Sequence, residues 1–231
     1  MTIEIIVPLA GPDFVDQYGR IKGQDENGKL DSLYKTLKSR SWFHQDNRYT
    51  FVFLDNKITR ALYEQQITDW FNNTSAIFLT HETKGAAFSA LVAIAKILNR
   101  SNCVIIDLAD IRFECQINPI GLLSDPTVGA VGLTFLSESP IYSYLKFDEN
   151  DQFVMSMEKQ VISQNASAGV YIFKSSFDYM AALVSVLRDL KKYEHNGLLY
   201  VCPVLNGIAQ NKLRVLQQTV TNIYDPKIKN E

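Results

Sequence analysis

Four short apolar runs, Ile3–Val7, Tyr49–Leu54, Ala76–Leu79 and Cys103–Leu108, alternate with helix-like segments over the first half of the chain. Each run has strand length, and the segments between them are long enough to cross over as helices. Leu33, Tyr34 and Leu37 share a face behind Asp31, a candidate helix cap. Leu62, Ile67 and Trp70 mark a helix over Thr59–Phe71, and Leu91, Ile94 and Leu98 mark one over Gly85–Leu98. Strands alternating with helices in this order close as a parallel sheet with right-handed crossovers. Ligands of such sheets lie beyond the carboxyl ends of the strands. The loops after Val7, Leu79 and Leu108 are therefore expected to line one cleft, the first of them running as a polar, Gly-bearing loop over Leu9–Lys29.

The second half has a different texture. Val128–Phe135, Ile141–Phe147, Phe153–Met157 and Gly169–Phe173 read as strands with short gaps. Ile141–Phe147 alternates, the pattern of an antiparallel strand with one wet face. A helix is expected from about Phe177 to Leu190, capped by Ser175 or Ser176, a shorter one from near Pro203, and a closing strand over Leu213–Val220. There is no repeat, low-complexity linker or charge block. The expected fold is α/β, a mixed, mostly parallel central sheet flanked by helices. One domain over 1–231 is the simplest account, with residues 1–113 and 114–231 as its two halves.

Composition narrows the function. The 231 residues are 46% hydrophobic, enough for a sizeable core. A net charge of -2 gives no global basic field for nucleic acid or anionic membrane, so no nucleic-acid partner is expected. No apolar run approaches the ~20 residues of a membrane span, and Met1–Pro8 is too short and acidic for a signal-peptide core. Cys103, Cys115 and Cys202 are odd in number and scattered, which fits a reducing cytoplasm better than a disulfide framework.

The stretch from Val104 to Phe113, VIIDLADIRF, climbs through buried-type residues to a pair of carboxylates and then breaks. A carboxylate at such a strand end can hold a divalent metal against phosphates. It can equally be an ordinary strand end with a solvated Asp. The order of the surrounding segments separates the two readings.

Taken together, these segments resemble the sugar-phosphate nucleotidylyltransferase-like proteins of the GT-A type, over nearly the whole chain. Ile6-Val7-Pro8-Leu9-Ala10-Gly11 resembles the family's first strand and the start of its nucleotide loop. Thr83-Lys84-Gly85-Ala86-Ala87 resembles the segment contacting base and ribose, and Ile106–Phe113 the metal-aspartate segment, with Asp110 in the aspartate's place. Tyr142-Ser143-Tyr144, Met157-Glu158-Lys159 and Ala168–Phe173 resemble the acceptor half, and Gly197–Asn206 a late segment before the last helix. The resemblance implies transfer of a nucleotidyl group from a nucleoside triphosphate to a sugar phosphate or similar phosphorylated acceptor. It implies Mg²⁺ as cofactor and a product used in surface-polysaccharide synthesis.

It further implies nucleotide contacts from Leu9, Ala10, Gly11, Thr83, Gly85 and Ala86, and acceptor contacts from Tyr144, Glu158 and Gly169. Asp110 would hold the metal, Lys22 would face the leaving pyrophosphate, and Lys159 would hold the acceptor phosphate. Each residue has a plainer reading. Gly11 can be just a turn, Lys22 solvated, Thr83 a helix cap, and Tyr142 and Tyr144 core aromatics. Glu158–Lys159 can be a solvated edge pair, and Asp107 a structural partner. Asn206 is a candidate second metal ligand. The state of association, homo-oligomeric or not, stays open.

The chain departs from the family after Gly11. Family members continue with a second glycine and an arginine; here Pro12, Asp13, Phe14, Val15 and Asp16 follow. Pro12 removes an N–H donor. Asp13 and Asp16 bring negative charge where phosphate is expected, and a like-charge pair at ~4 Å costs about 4 kcal/mol at an effective dielectric of 20. Arg20 and Lys22 can supply compensating charge. Lys22 roughly aligns with the family's loop lysine but is followed by Gly23 instead of proline. The altered loop keeps three alternatives open: a non-catalytic binding member of the fold, a GT-A glycosyltransferase using the Asp107-x-x-Asp110 pair, and a scaffold subunit without a ligand.

Overall fold

The computed structural model describes residues 3–22, 24, 30–44, 46–97 and 103–225. The first half runs β1 (Glu4–Leu9), α1 (Asp31–Lys38), β2 (Arg48–Leu54), α2 (Lys57–Gln65), β3 (Thr74–Leu79), α3 (Ala86–Ile97), β4 (Val104–Asp107), β5 (Arg112–Glu114) and α4 (Pro119–Leu122). The second half runs β6 (Val128–Leu136), β7 (Tyr144–Phe147), β8 (Phe153–Met157), β9 (Asn165–Phe173), α5 (Ser176–Leu187), α6 (Leu190–Tyr193), α7 (Leu205–Gln210), β10 (Arg214–Thr219) and β11 (Thr221–Tyr224).

The main sheet has the order β10-β6-β9-β4-β1-β2-β3. β1 is parallel to β2 and to β4, and β2 to β3. β9 is antiparallel to both of its neighbours in this order, β4 and β6. It thereby stitches the second half onto the first, and the sheet is mixed and mostly parallel as expected. Both faces are covered. Ile5, Val7, Phe51 and Phe53 pack on one side with Leu33 and Leu37 of α1 and Leu62 of α2. Ile6, Val52, Val104 and Ile106 pack on the other with α3, α5 and α7. Successive residues of β1 thus enter different cores, which is why the strand reads as an unbroken apolar run.

β4 pairs only with Glu4, Ile5 and Ile6 of β1, whereas β2 follows β1 out to Leu9. Beyond Ile6 and Asp107 the two central strands part: the crossovers that follow β1 and β2, α1 and α2, pack on one face of the sheet, and the crossover into β4, α3, packs on the other. This is the topological switch point at which open α/β sheets hold their ligands.

Several local expectations are corrected. Asp31 is the first residue of α1, behind Leu30, and pairs with Lys35 one turn on at 3.5 Å. α2 starts earlier than expected because Asn56 caps it, its side chain accepting from the Ile58 and Thr59 amides in a capping box. It ends at Gln65, and Ile67–Asp69 forms a separate 3-10 turn, so Trp70 lies outside the helix with its ring 5.2 Å from that of Tyr34. Leu98 and Gly23 lie outside the described residues. β7 has no wet face over Tyr144 and Leu145, because these two enter opposite cores. The helix after Ser175, whose side chain accepts from the Asp178 amide, stops at Leu187. β5, α4 and β11 were not expected; β11 pairs antiparallel with β5 in a small second sheet.

Candidate functional site

Beyond the carboxyl ends of β1 and β4 lies a cavity of about 330 Å³ lined by Leu9, Ala10, Gly11, Lys22, Thr83, Gly85, Ala86 and Asp110, among others. Three loops far apart in sequence meet there, as the strand order requires.

The first loop is not a glycine-rich cradle. The Phe14 amide donates to the Gly11 carbonyl at 3.1 Å, and Val15 bridges antiparallel to Ile21. Asp16 organises the tip: its carboxylate accepts from the Tyr18 and Arg20 amides and from Arg20 Nε at 2.7 Å. The Arg20 amide first, helped by the Arg20 guanidinium and the Tyr18 amide, holds that carboxyl below its usual range against the opposing effect of desolvation. The loop folds back so that the Lys22 amide donates to Phe14 and Lys22 Nζ meets Asp13 Oδ2 at 3.1 Å. The two added acids thus each have a basic partner, Asp16 with Arg20 and Asp13 with Lys22. The Asp13 side chain is 75% exposed and Lys22 45%, so their pair is screened by water and worth about 0–1 kcal/mol. A Cβ on Gly11 would meet only the Asp13 side chain, at 2.9 Å, which leaves the backbone of Gly11 open to the cavity.

The second loop enters α3. Gly85, with φ +109, precedes the helix, and a Cβ there would lie 2.3 Å from the Leu199 carbonyl oxygen. The backbone of residues 198–200 crosses directly over it: the Leu199 amide donates to Lys84, and the Ala87 amide to Leu199. Gly85 is therefore required by this crossing whatever else it touches. Thr83 is not the residue next to the helix; its hydroxyl donates to the Gly85 carbonyl at 3.0 Å and shares a 2.7 Å hydrogen bond with Ser89. The crossing delivers Tyr200 to the cavity wall.

The third loop carries the acids, and they separate. Asp107 is fully buried and bound by Arg40, Nε to Oδ2 at 2.8 Å and Nη2 to Oδ1 at 3.0 Å. It also accepts from the Ala109 amide at 2.9 Å. Asp107 is thus the structural partner, and the Asp107-x-x-Asp110 pair is not available as a joint metal clamp. Asp110 lines the cavity. Gly169, buried at φ +75, makes room for it, since a Cβ there would stand 2.9 Å from Asp110 Oδ1. Gly169 serves the acid from behind.

Among the described residues no three of His, Cys, Asp and Glu gather as a preformed metal cage. Mg²⁺ does not need one, because it is bound through one or two carboxylates with the remaining positions taken by phosphates and water. Asp110 on the cavity wall, with space kept by Gly169, fits that requirement.

Glu158 and Lys159 are not among the residues that line the cavity; they neighbour Tyr200, which does. The Lys159 ammonium lies 5.7 Å from the centre of the Tyr200 ring, and Ser143 donates its hydroxyl to Glu158. Partial burial, then the charges of Glu158 and Asp13, push the Tyr200 phenol upward, so it stays a neutral hydroxyl at pH 7. Tyr144 is corrected: its side chain is wholly buried, and its hydroxyl donates to the Ser139 carbonyl at 2.7 Å, so it is a core aromatic. Asn206 is also structural. Its amide accepts from the Ser156 amide and donates to the Ser156 and Pro203 carbonyls and the Ser156 hydroxyl, and this buried residue is not among those lining the cavity.

Ser32, Leu33 and Thr36 of α1, Glu82 and Tyr200 also line the cavity and were not singled out from sequence. Tyr200 lay inside the Gly197–Asn206 segment, whose position in the chain was the available signal.

No protein-family model matches the sequence, and no curated protein matches it. Solved structures do match. A nucleoside-diphosphate-sugar pyrophosphorylase from Vibrio cholerae superposes with a TM-score of 0.79 at 16% identity, over 99% of this chain and 97% of that one. A Bacillus anthracis protein assigned as a glucose-1-phosphate thymidylyltransferase gives 0.69 at 13%, over 97% and 89%. An inositol-1-phosphate CTP transferase from T. maritima gives 0.65 at 12%, over 98% and 91%. At such identities the likeness establishes architecture: this chain has the GT-A-like α/β fold shared by these nucleotidyltransferases.

Proposed function

We propose that the chain catalyses nucleotidyl transfer from a nucleoside triphosphate to a sugar phosphate or similar phosphorylated acceptor. The observation that carries this reading is the cavity itself, which gathers the Gly11 loop, the start of α3 and Asp110 at the switch point between β1 and β4. Whole-chain similarity to three proteins named for nucleotide or nucleotide-sugar chemistry supports it. In this reading an acceptor phosphate oxygen attacks the α-phosphorus. A new P–O bond forms, the α–β bond breaks, and pyrophosphate leaves.

The protein supplies position and charge. Leu9, Ala10 and Gly11 present backbone to the nucleotide, and Thr83, Gly85 and Ala86 face its base and ribose. Lys22 turns from Asp13 to the leaving pyrophosphate. Lys159, with Glu158, holds the acceptor beyond Tyr200, and Asp110 is the residue for Mg²⁺. When bound, that ion supplies neutralisation of phosphate charge. We further assign residues 1–113 to the nucleotide half and 114–231 to the acceptor half of one domain, a cytoplasmic setting, and a product for surface polysaccharide.

The Asp13–Lys22 pair favours one rival, a nucleotide-binding member that no longer turns over, because Lys22 is already engaged by a carboxylate. Incubation with Mg²⁺, each nucleoside triphosphate and a panel of sugar 1-phosphates separates the two. Pyrophosphate formed in step with loss of sugar phosphate supports transfer, and nucleotide binding without pyrophosphate supports the rival. Turnover of a sugar nucleotide with no use of triphosphate would contradict both.

A further inference from the structure

Asp110 makes its position in the cavity from a turn that one buried side chain holds. Arg40, 3% exposed, follows α1 by two residues. Its guanidinium grips Asp107 with two nitrogens and donates from Nη2 to the Ile111 carbonyl at 3.0 Å. It also lies 3.9 Å from the centre of the Phe113 ring. Asp107 in turn takes the Ala109 amide, and Ala109 sits in the left-handed region at φ 55. Residues 107, 109, 111 and 113 are thus all tied, directly or through Asp107, to one group, with Asp110 at their centre. A buried ion pair is weak evidence for stability in its own right. Arg40 Nη1 has no hydrogen-bond partner among the described residues. Its placement around this turn is what needs a reason.

We propose that Arg40 is a positioning residue for Asp110. It locks the turn that presents Asp110 and joins it rigidly to α1, whose Ser32, Leu33 and Thr36 line the same cavity. The consequence for metal rests on the reading of the cavity as a metal-dependent nucleotide site; the hold on the turn does not.

The test uses the full chain with Arg40→Met/Asp107→Asn, which removes the buried charges together, and Arg40→Lys, which keeps the charge but loses the fork. Amide hydrogen exchange across residues 108–113 reads the turn directly. Mn²⁺ titration in the presence of each nucleoside triphosphate reads Asp110, and thermal stabilisation by triphosphate without metal reads the rest of the cavity. The expected result is exchange at least tenfold faster in 108–113, an Mn²⁺ midpoint raised about 10- to 100-fold, and metal-free stabilisation retained. Arg40→Lys falls between wild type and the double variant. Unchanged exchange in either folded variant overturns the proposal, and so does faster exchange with an unchanged Mn²⁺ midpoint. A wild-type protein that ignores Mn²⁺ at every triphosphate sinks the nucleotide-site reading instead, and the exchange result then decides alone whether Arg40 holds the turn.

Discussion

Asp107 and Asp110 stand three residues apart and serve different ends. The strand delivers the first into the core, where it needs a cation. It delivers the second past the last ladder bond, where it can face a ligand. Asp110→Asn is therefore expected to lower turnover by roughly 100-fold while the melting temperature stays within about 2 °C, because Asp110 is outside the buried pair. Parallel kinetics and thermal melts check this. Asp13 acts in the opposite sense: it pairs with Lys22 at 3.1 Å, and in the proposed site that carboxylate would compete with phosphate for the lysine. Asp13→Asn is expected to raise triphosphate affinity by up to about fivefold at low salt, with the gain shrinking as salt screens the pair. Calorimetric titration at two ionic strengths measures it; weaker binding would mean that Asp13 assists the ligand.

At the scale of elements, the crossing of residues 198–200 over Gly85 ties the late segment to the start of α3. Gly85→Ala places a methyl 2.3 Å from the Leu199 oxygen at a positive φ. A loss of about 3 kcal/mol in urea denaturation is expected, from strained backbone and overpacking together. The strands and crossover helices of the first half were legible because β1, β2 and β4 are buried on both faces and read as apolar runs. The cleft between them followed from their order. β5, α4 and β11, three or four residues each, were not legible. β5 and β11 exist because they pair with each other across the chain, and neither has enough residues to show a period. The face of β7 was misjudged for a similar reason: Tyr144 and Leu145 are both buried by partners that local alternation does not encode. In the cavity, Leu9–Gly11 and Asp110 came from motif order. Ser32, Thr36 and Tyr200 are brought in by tertiary packing and carry no pattern of their own.

At the scale of the molecule, the two cores on either face of the sheet govern what solvent can reach. Burial pushes the Cys103 thiol up to about 12 from an ordinary 9.0 and raises Cys202 as well, with the nearby Glu158 charge adding to burial there. Cys115 is half-buried beside Ser41. A thiol reagent at pH 8 is expected to modify Cys115 in the native protein and all three cysteines after denaturation. The same shift has a pH consequence. A thiol whose folded value is raised contributes stability fully present below about pH 9 and lost as pH climbs toward about 12. Alkaline melts in that window should show the fall. In the proposed function the whole fold serves its switch point, where a metal–triphosphate binds through Asp110. The most direct measurement is thermal stabilisation of wild type and Asp110→Asn by each nucleoside triphosphate, with and without Mg²⁺. At 100 times its dissociation constant a ligand adds about 2.7 kcal/mol. A Mg²⁺-dependent rise with at least one triphosphate is expected in wild type and its loss in Asp110→Asn; an equal rise in both proteins, or one indifferent to Mg²⁺, would rule out metal–triphosphate binding through Asp110.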